Sequence, residues 1–436
     1  VVESGSELGG TCLISGGNLH VSALGGATAD TTVEELSAMA PSIDKAFVPK
    51  MIKKWNAFRE WIFDQGAPNI TTIYDVMISI GSSYAKRKEF FDYFKEEIEG
   101  SGSSILLNTR AIQLCTDEGG AVCGAIAVDA EGTAVRIRAN SVILATGGFS
   151  ANDEMRGRYF GFYGDNIVGR VVPFNQGDGH RMAIELGAQL TKGMGQFYGH
   201  LVPYPSVIPQ NAEDYAAASK DDLNTALGTI QLIMGTGFLV NLDGKRFADE
   251  SSALHIMPMS FDSSITVLMG SQPYGIGYAI FDSSVEATVD GISSLEGVGA
   301  VIDKADTLDA LGAALSARGV REAAFARTVA EFNGVQNPSD LEVRSTAREQ
   351  GTCTPLLQPP FYAVQVTGGA SGMFGGLRIN EGAHVLGYGD VPIPNLYATA
   401  CCAGGFSYDE YIGSLATSSV VGIMAVEEIL GKEVLV

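Results

Sequence analysis

Residues 141–152, with the sequence SVILATGGFSAN, join a short apolar strand directly to a Thr-Gly-Gly turn. Consecutive valine, isoleucine and leucine residues are typical of a strand that is buried on both faces. Because glycine has no side chain, the turn at Thr146, Gly147 and Gly148 predicts a place where the backbone comes close to a ligand.

Both flanks of this strand carry regular patterns. Upstream, β-like runs between residues 104 and 140 are separated by Gly and Asp turn signals, which predicts an antiparallel meander leading into the strand. Downstream, residues 175–190 (NQGDGHRMAIELGAQL) predict an amphipathic helix with Asn175 and Asp178 as cap residues. The N–H groups at the start of such a helix can bind an anion or a ring oxygen, although an ordinary capped helix has the same pattern.

Further along the chain, helical spacing predicts helices within residues 33–65, 86–99, 307–335 and 414–430. In the first of them, Trp55, Phe58, Trp61 and Ile62 fall on one apolar stripe. Residues 237–251 (GFLVNLDGKRFADES) predict a β-hairpin, because two strand-like runs flank an Asp-Gly turn.

Composition restricts the class of protein. A chain of 436 residues with 46% hydrophobic and 18% charged residues is expected to fold, as two domains or as one large interrupted domain. The net charge of −22 makes nucleic acid and anionic membrane surfaces poor partners. Six cysteines without CxxC spacing predict neither a disulfide framework nor a metal site, and no apolar run is long enough for a transmembrane helix.

Eight motifs occur in an order that resembles one family, the fumarate reductase/succinate dehydrogenase flavoproteins. This superfamily includes soluble fumarate reductases, urocanate-type reductases and 3-ketosteroid dehydrogenases. The motifs are GGTCLISGGN (9–18), SVILATGGFSAN (141–152), NQGDGHRMAIELGA (175–188), GFLVNLDGKRFADES (237–251), PPFYAVQVT (359–367), GGLRIN (375–380), PIPNLYATACCAGG (392–405) and GSLATSSVVG (413–422).

The resemblance implies an α/β fold, with a Rossmann-like FAD-binding domain and an inserted α+β cap domain. It assigns residues 1–199 to the first part of the FAD-binding domain, 200–358 to the substrate-capping domain and 359–436 to the rest of the FAD-binding domain. Family members begin with a strand and a GxGxxG loop, whereas this sequence starts at the second strand. The resemblance therefore implies that this N-terminal strand and glycine-rich loop are missing, and that Glu3 binds the adenosine ribose.

The family's other contacts with FAD carry over by position. Glycine-rich residues would lie along the isoalloxazine, Ala111 would face the adenine, and Cys401 takes the place of an acidic residue beside the ribityl chain. The amides of the last helix, at Ser414 and Leu415, would face the pyrimidine edge of the flavin. The implied cofactor-binding residues are Glu3, Gly10, Thr11, Ser15, Gly16, Gly17, Ala111, Thr146, Gly147, Gly148, Asp178, Cys401, Ser414 and Leu415.

The sequence departs from the fumarate-type members at the positions that bind a dicarboxylate. Glu286 stands where they have the arginine that donates a proton. Residues 368–376 (GGASGMFGG) and 404–416 (GGFSYDEYIGSLA) contain neither His nor Arg. Because two carboxylates need cationic partners, this pattern argues against fumarate.

Tyr411, Tyr408 and His200 are the catalytic candidates that the resemblance leaves. Ketosteroid-acting members use tyrosine hydroxyls to polarise a ketone and to move a proton. His200 lies near the position of a substrate-contacting histidine. The alternative for each residue is a structural place in the core.

We therefore expect an FAD-dependent oxidoreductase that acts on a CH–CH or C=C bond next to a carbonyl. Hydride transfer would pass through flavin N5, and the substrate would be an apolar enone such as a 3-ketosteroid. One alternative is a fumarate or acrylate (urocanate-type) reductase with an altered carboxylate clamp. Another is a catalytically degraded member that keeps the fold as a binding protein.

The expected partner is a small-molecule substrate, and the resemblance also allows a separate electron donor or acceptor protein. Neither nucleic acid nor a membrane span is expected. The expected compartment is the cytoplasm, with a secreted form as the open alternative.

Overall fold

The structure is a computed structural model, which describes residues 1–20, 34–35, 42–74, 77–204, 208–209, 211–219, 230, 233, 237–250, 264–286, 292–335, 342–343, 346–347, 355–407 and 411–435. The chain divides into two compact units. The first contains Val1–Asn152, Val171–Phe197 and Gly372–Val436, and the second contains Asp153–Arg170 and Tyr198–Ser371. The functional domain boundaries expected at 199/200 and 358/359 stay a proposal.

The described strands are short in the first half of the chain and longer near its end. In chain order they are β1 (Asn18–Leu19), β2 (Thr71–Tyr74), β3 (Met77–Ser79), β4 (Arg110–Thr116), β5 (Val122–Val128), β6 (Ala134–Arg138), β7 (Val142–Leu144), β8 (Val168–Gly169), β9 (Phe197–Pro203), β10 (Phe238–Asn241), β11 (Gly277–Asp282), β12 (Ile302–Ala305), β13 (Glu342–Val343), β14 (Thr346–Ala347), β15 (Phe361–Met373), β16 (His384–Leu386) and β17 (Pro392–Ala398).

The described α-helices range from one turn to nearly five turns. In chain order they are α1 (Val48–Asp64), α2 (Tyr84–Gly100), α3 (Asp153–Tyr159), α4 (Asp178–Glu185), α5 (Ala212–Ala217), α6 (Ser264–Met269), α7 (Ser283–Glu286), α8 (Ile292–Gly297), α9 (Leu308–Ala317), α10 (Glu322–Gly334) and α11 (Ser414–Leu430). The helix predicted at residues 414–430 is confirmed with the same bounds.

Small sheets build the first unit. The predicted meander is confirmed, since β4, β5 and β6 pair antiparallel in that order. The apolar strand that follows, β7, pairs in parallel with β17, so that Leu144 lies opposite Ala398. The Thr-Gly-Gly turn therefore leaves the sheet beside the turn that follows β17.

Helices α1 and α11 share the largest core of the first unit. Met51, Trp55 and Phe58 of α1 are buried in the same cluster as Val420 and Met424 of α11, which places the apolar stripe of α1 against the C-terminal helix. Trp61, predicted on that stripe, is partly buried at the edge of the cluster. Burying apolar surface here fixes the position of α11.

A six-stranded sheet forms the core of the second unit. Its main path is β10-β11-β15-β12, and β8 and β9 also pair with β15. Helices α9 and α10 cover it, with Leu311, Phe325 and Phe332 packed against Phe238 and Tyr278. The long strand β15 thus joins most of the strands of this unit.

The predicted hairpin at residues 237–251 is wrong in its second half. β10 and the turn after it form as expected, but the chain does not continue as a strand through residues 245–250. Instead, the buried Glu250 carboxylate accepts the N–H of Leu239 at 3.0 Å and the Nε–H of Arg246 at 2.8 Å. A carboxylate therefore accepts a strand amide, and β10 pairs with β11.

No helix in the described part of the chain is long and apolar enough to cross a membrane.

Candidate active site

A cleft lies at the amino-terminal end of α11, within the first unit. It is lined by the end of β15, the turn after β17 and the start of α11. Its polar lining residues are Cys401, Ser407, Tyr411, Ser414 and Thr417. None of the described residues that line it has a charged side chain.

Gly413 determines how α11 begins. It is the N-cap residue, with a φ of 84° in the left-handed region, and a Cβ at this position would lie 1.6 Å from the carbonyl oxygen of His20. Only glycine fits such a close approach. The helix dipole gives the first amides of α11, which begins beside the cleft, a partial positive charge.

The hydroxyl oxygen of Tyr411 accepts the N–H of Ser414 at 3.0 Å. Burial raises the pKa of Tyr411, so its phenol is neutral at physiological pH. The ring of His20 lies edge-on to the ring of Tyr411, with centroids 5.9 Å apart. Burial also lowers the pKa of His20 to about 4, so this histidine is neutral as well.

Cys401 also lies at the start of α11 and lines the cleft. Its thiol is hydrogen-bonded to the Ser414 side chain, and burial raises its pKa, which keeps it neutral. Burial likewise raises the pKa of Cys12, to about 12, and Cys401 is close enough to contribute to that shift. The loop around Cys12 therefore belongs to the same neighbourhood.

The Thr-Gly-Gly turn is held by Asn175, which is not the helix cap that we predicted. Its Oδ1 accepts the N–H of Ser150 at 3.0 Å, while the N-cap of α4 is Gly177. Gly147 has a φ of 73°, and a Cβ there would lie 2.5 Å from Asn175 Nδ2. Thr146 Oγ1 accepts the first-turn N–H of Gly179 at 3.1 Å, which links the turn to the helix start.

Asp178, the first residue of α4, binds an arginine that the sequence analysis did not single out. Arg110 donates from Nε and Nη2 to the two carboxylate oxygens, each at 2.7 Å. Arg110 immediately precedes Ala111 in β4, where Ala111 pairs with Ala127. The bidentate pair therefore ties the start of α4 to the meander.

Glu3 lies beside the segment that precedes β4. Its backbone N–H donates to Leu106 O at 2.8 Å, and its carbonyl accepts the N–H of Thr109 at 2.8 Å. Its carboxylate accepts the N–H of Gly5 at 2.6 Å. This short turn fixes the orientation of the carboxylate.

The glycine-rich residues near the amino terminus form a 3₁₀ turn (Gly10–Ile14) and a second tight turn after it. Thr11 Oγ1 accepts the N–H of Val172 at 3.4 Å. Ser15 Oγ donates to Cys12 O at 2.8 Å and accepts the N–H of Gly17 at 3.0 Å, with Gly16 between them. This pattern makes the loop a compact backbone surface.

Arg87 of α2 supports this loop through hydrogen bonds, although the sequence analysis did not identify it. It is only 1% exposed, and its guanidinium donates to Leu13 O at 2.8 Å and to Gly81 O at 3.1 Å. No local signal indicates this role, because Arg87 looks like one more basic residue in the amphipathic helix α2.

The catalytic candidates fall in different parts of the structure. Tyr411 lies in the cleft of the first unit, whereas His200 belongs to the second unit. His200 Nε2 is 2.8 Å from the hydroxyl of Tyr198, and its pKa is held well below the ordinary value, first by burial and then by the charge of Arg170. Tyr408 lies outside the described residues.

The structure thus brings several expected cofactor residues together. Cys401, Ser414 and Tyr411 line the cleft. A Cβ on Gly148 would lie 3.5 Å from Cys401 Cβ, so the Thr-Gly-Gly turn lies beside the cleft. Neutral thiol and phenol groups, apolar walls and a positive helix end suit the pyrimidine edge of a flavin, which becomes anionic on reduction. The residues present therefore fit FAD.

Comparison with known proteins agrees with this geometry. The family model described as "FAD binding domain" matches residues 5–408. The NADH:acrylate oxidoreductase of Vibrio harveyi is 29% identical over 341 residues, which cover 76% of this chain and 30% of that protein. The probable fumarate reductase Ifc3 of Shewanella frigidimarina is 27% identical over 339 residues, which cover 76% of this chain and 51% of that protein. The chain therefore spans between about a third and a half of the length of these relatives.

A solved structure shows the same fold. The 3-ketosteroid Δ1-dehydrogenase from Sterolibacterium denitrificans aligns with a TM-score of 0.75 over 99% of this chain and 94% of that one, at 18% identity. At this identity the likeness concerns the fold alone, and it confirms the α/β class that the sequence predicts.

Proposed function

The chain belongs to the FAD-binding domain family, and from this premise we propose that it is an FAD-dependent oxidoreductase acting on a CH–CH or C=C bond next to a carbonyl. The observation that carries the proposal is the cleft at the start of α11, whose described lining has no charged side chain and where the Tyr411 hydroxyl meets the Ser414 amide at 3.0 Å. The relatives named above, an acrylate oxidoreductase and a probable fumarate reductase, also support this reaction class.

The chain's own residues divide into those that hold FAD and those that handle the substrate oxygen. FAD, when bound, supplies or accepts the hydride. The Ser15–Gly17 loop, the Thr-Gly-Gly turn and Asp178 would hold it, with Cys401 beside it and Glu3 at its ribose. The amides of Ser414 and Leu415 would stabilise negative charge at the helix start.

Tyr411 would polarise the substrate carbonyl or move the proton at the carbon next to it. Its raised pKa keeps the hydroxyl protonated at physiological pH, as a hydrogen-bond donor must be. The burial of the phenol strengthens such an interaction because the surroundings have a low dielectric constant. His200 and Tyr408 stay further catalytic candidates.

A neutral enone, such as a 3-ketosteroid, is the substrate class that this cleft supports best. A carboxylate would lose its hydration beside this lining and find no ionic partner among the lining residues that the structure describes, whereas a ketone needs only one or two donors. An acrylate-type acid is the second candidate, favoured by the likeness to the NADH:acrylate oxidoreductase of Vibrio harveyi.

The experiment compares wild type with Tyr411→Phe, each loaded with FAD. Turnover is measured with reduced viologen or an artificial acceptor against a ketosteroid, an acrylate and fumarate. We expect the ketosteroid to react and fumarate not to react. Removing one donor to a developing oxyanion typically lowers the rate by about 10²–10³, which is the loss expected for Tyr411→Phe.

Tyr388→Phe is the matched control, since Tyr388 is 94% exposed and should leave the rate unchanged. Fumarate turning over fastest, or a Tyr411→Phe rate equal to wild type, would overturn the assignment. A folded protein that takes up no FAD, and so shows no flavin absorbance, would instead indicate the second alternative, a binding protein that has kept only the fold.

A further inference from the structure

An irregularity in the meander of the first unit brings two cysteines to the same point of the sheet. Cys115 of β4 pairs with Gly124 of β5. The next pair joins Thr116 to Val122, so Cys123 is an extra residue in β5, a β-bulge. Cys123 and Gly124 therefore lie together opposite Cys115. Facing residues of an antiparallel pair have Cα atoms about 4.5–5.5 Å apart, within the range of about 4.4–6.8 Å that a disulfide requires.

The burial pattern indicates that both thiols leave the sheet on the face away from the core. Leu114 precedes Cys115, Val122 precedes Cys123, and both of these apolar side chains are buried in one core cluster. Because side chains alternate along a strand, Cys115 and Cys123 both point away from that cluster. Both cysteines are free and half-buried, so a dissolved reagent can reach their thiols.

Gly124 leaves the space beside Cys115 open. Its φ is 145°, and a Cβ at this position would lie 1.9 Å from Ile137 O, so only glycine fits. On its other side Gly124 pairs with Arg138, an exposed residue, which places this face of the meander towards solvent. Since Gly124 has no side chain, Cys123 is the bulge residue that can meet the Cys115 thiol.

We propose that Cys115 and Cys123 form a reversible disulfide, which makes the outer face of the meander a site of redox modification. Neither cysteine lines the cleft, so the proposal does not depend on the proposed function. Cys12 and Cys402 differ from this pair, because burial raises the pKa of each to about 12. These two thiols therefore stay protonated and unreactive at neutral pH.

The oxidant is a low-molecular-weight disulfide such as oxidised glutathione. The thiolate of one cysteine attacks a sulfur of this disulfide, forms a mixed disulfide and releases one small thiol. The thiolate of the other cysteine then attacks the mixed disulfide, closes the Cys115–Cys123 bond and releases the second small thiol. Two protein thiols are oxidised, one small disulfide is reduced to two thiols, and the two protons leave with those thiols. The second step is intramolecular and so is favoured over attack by another molecule.

The test incubates the native chain with oxidised glutathione in the presence of FAD, alkylates the remaining thiols in denaturant and digests the product with trypsin. Residues 111–136 have no internal lysine or arginine and contain only these two cysteines, so one tryptic peptide reports on the pair. In its mass spectrum we expect the loss of two hydrogens and no alkylation, both reversed by dithiothreitol. Cys115→Ser and Cys123→Ser should instead retain one glutathione, because no second thiol resolves the mixed disulfide.

Cys12 and Cys402 are the internal reference and should be fully alkylated. The same reaction in urea separates the effect of the bulge from mere closeness in sequence. We expect the ratio of disulfide to dithiol to be at least about tenfold higher in the native chain, because the bulge raises the effective concentration of one thiol at the other. An equal ratio in urea would overturn the proposal. So would a wild-type peptide that carries two alkylated thiols or two glutathiones, or that is linked to another cysteine.

Discussion

At the scale of single residues, His180 of the first unit is a buried histidine that must stay neutral. It is fully buried, and neither ring nitrogen has a hydrogen-bond partner among the described residues. Its ring lies edge-on to Phe149 with centroids 5.6 Å apart, and burial lowers the pKa of His180 to about 4. A neutral imidazole is tolerated here, whereas an imidazolium would be buried without a counter-ion.

This predicts a loss of stability in acid that His180→Leu should reduce. The unfolded chain takes up this proton near pH 6.5 and the folded chain only near pH 4. The neutral His180 therefore does not reduce the free energy of unfolding above about pH 6.5, and that free energy falls as the pH is lowered from about 6.5 to about 4. The urea midpoint of His180→Leu relative to wild type should therefore rise as the pH falls from about 8 to about 5. The comparison at about pH 8, where both states of wild type are neutral at this residue, is the control. A difference that does not change with pH would contradict the prediction.

At the scale of elements, the start of α11 determines the candidate active site. Two glycines of the same segment differ in whether a side chain fits at their position. Gly413 has a φ of 84° and a Cβ there would lie 1.6 Å from His20 O, whereas a Cβ on Gly422 inside the helix meets its nearest atom at 3.7 Å. An alanine is therefore strained at the first position and accommodated at the second.

We expect Gly413→Ala to lower the urea midpoint strongly and Gly422→Ala to raise it. The left-handed conformation alone costs alanine about 1–2 kcal/mol, and the clash with His20 adds to this. Inside the helix, alanine in place of glycine gains about 0.5–1 kcal/mol. FAD affinity, measured by flavin fluorescence, should weaken in Gly413→Ala and not in Gly422→Ala. Equal midpoints for the two variants would show that the helix start tolerates a side chain.

At the scale of the whole molecule, the expected cofactor residues all belong to the first unit, from Glu3 to Leu415. The second unit has its own core, built by the β15 sheet with α9 and α10. A ligand that binds the native state stabilises what it contacts, by about 2.7 kcal/mol at one hundred times its dissociation constant. The stabilisation should therefore be uneven along the chain.

Hydrogen exchange with and without FAD checks this expectation. We expect added FAD to slow exchange in residues 142–150 and in the first turns of α11, which surround the cleft. The core of the second unit at Leu308–Ala317 serves as the internal reference and should exchange at an unchanged rate. Slower exchange confined to the second unit would contradict the assignment of the cofactor residues.

Local patterns in the sequence were sufficient for several elements and for the family. The strands of the meander β4-β5-β6 are separated by clear turn signals, and α11 follows a Gly-Ser start and ends before Gly431. These features depend on neighbours within a few residues, so propensity and periodicity describe them well. The order of eight motifs extended this local information to an FAD-binding fold, and the family match to residues 5–408 agrees.

The partners of the buried and half-buried charges were decided by the tertiary structure alone. Arg110 and Asp178 are 68 residues apart, Arg87 reaches Leu13 across 74, and Arg170 meets Ser371 across 201. The hairpin failed for a related reason, since the Glu250 carboxylate accepts the Leu239 amide when the chain folds back. A charged residue near the surface and one that orients a buried loop look alike in a sequence, because the difference lies in desolvation and in distant acceptors, which exist only once the chain is packed.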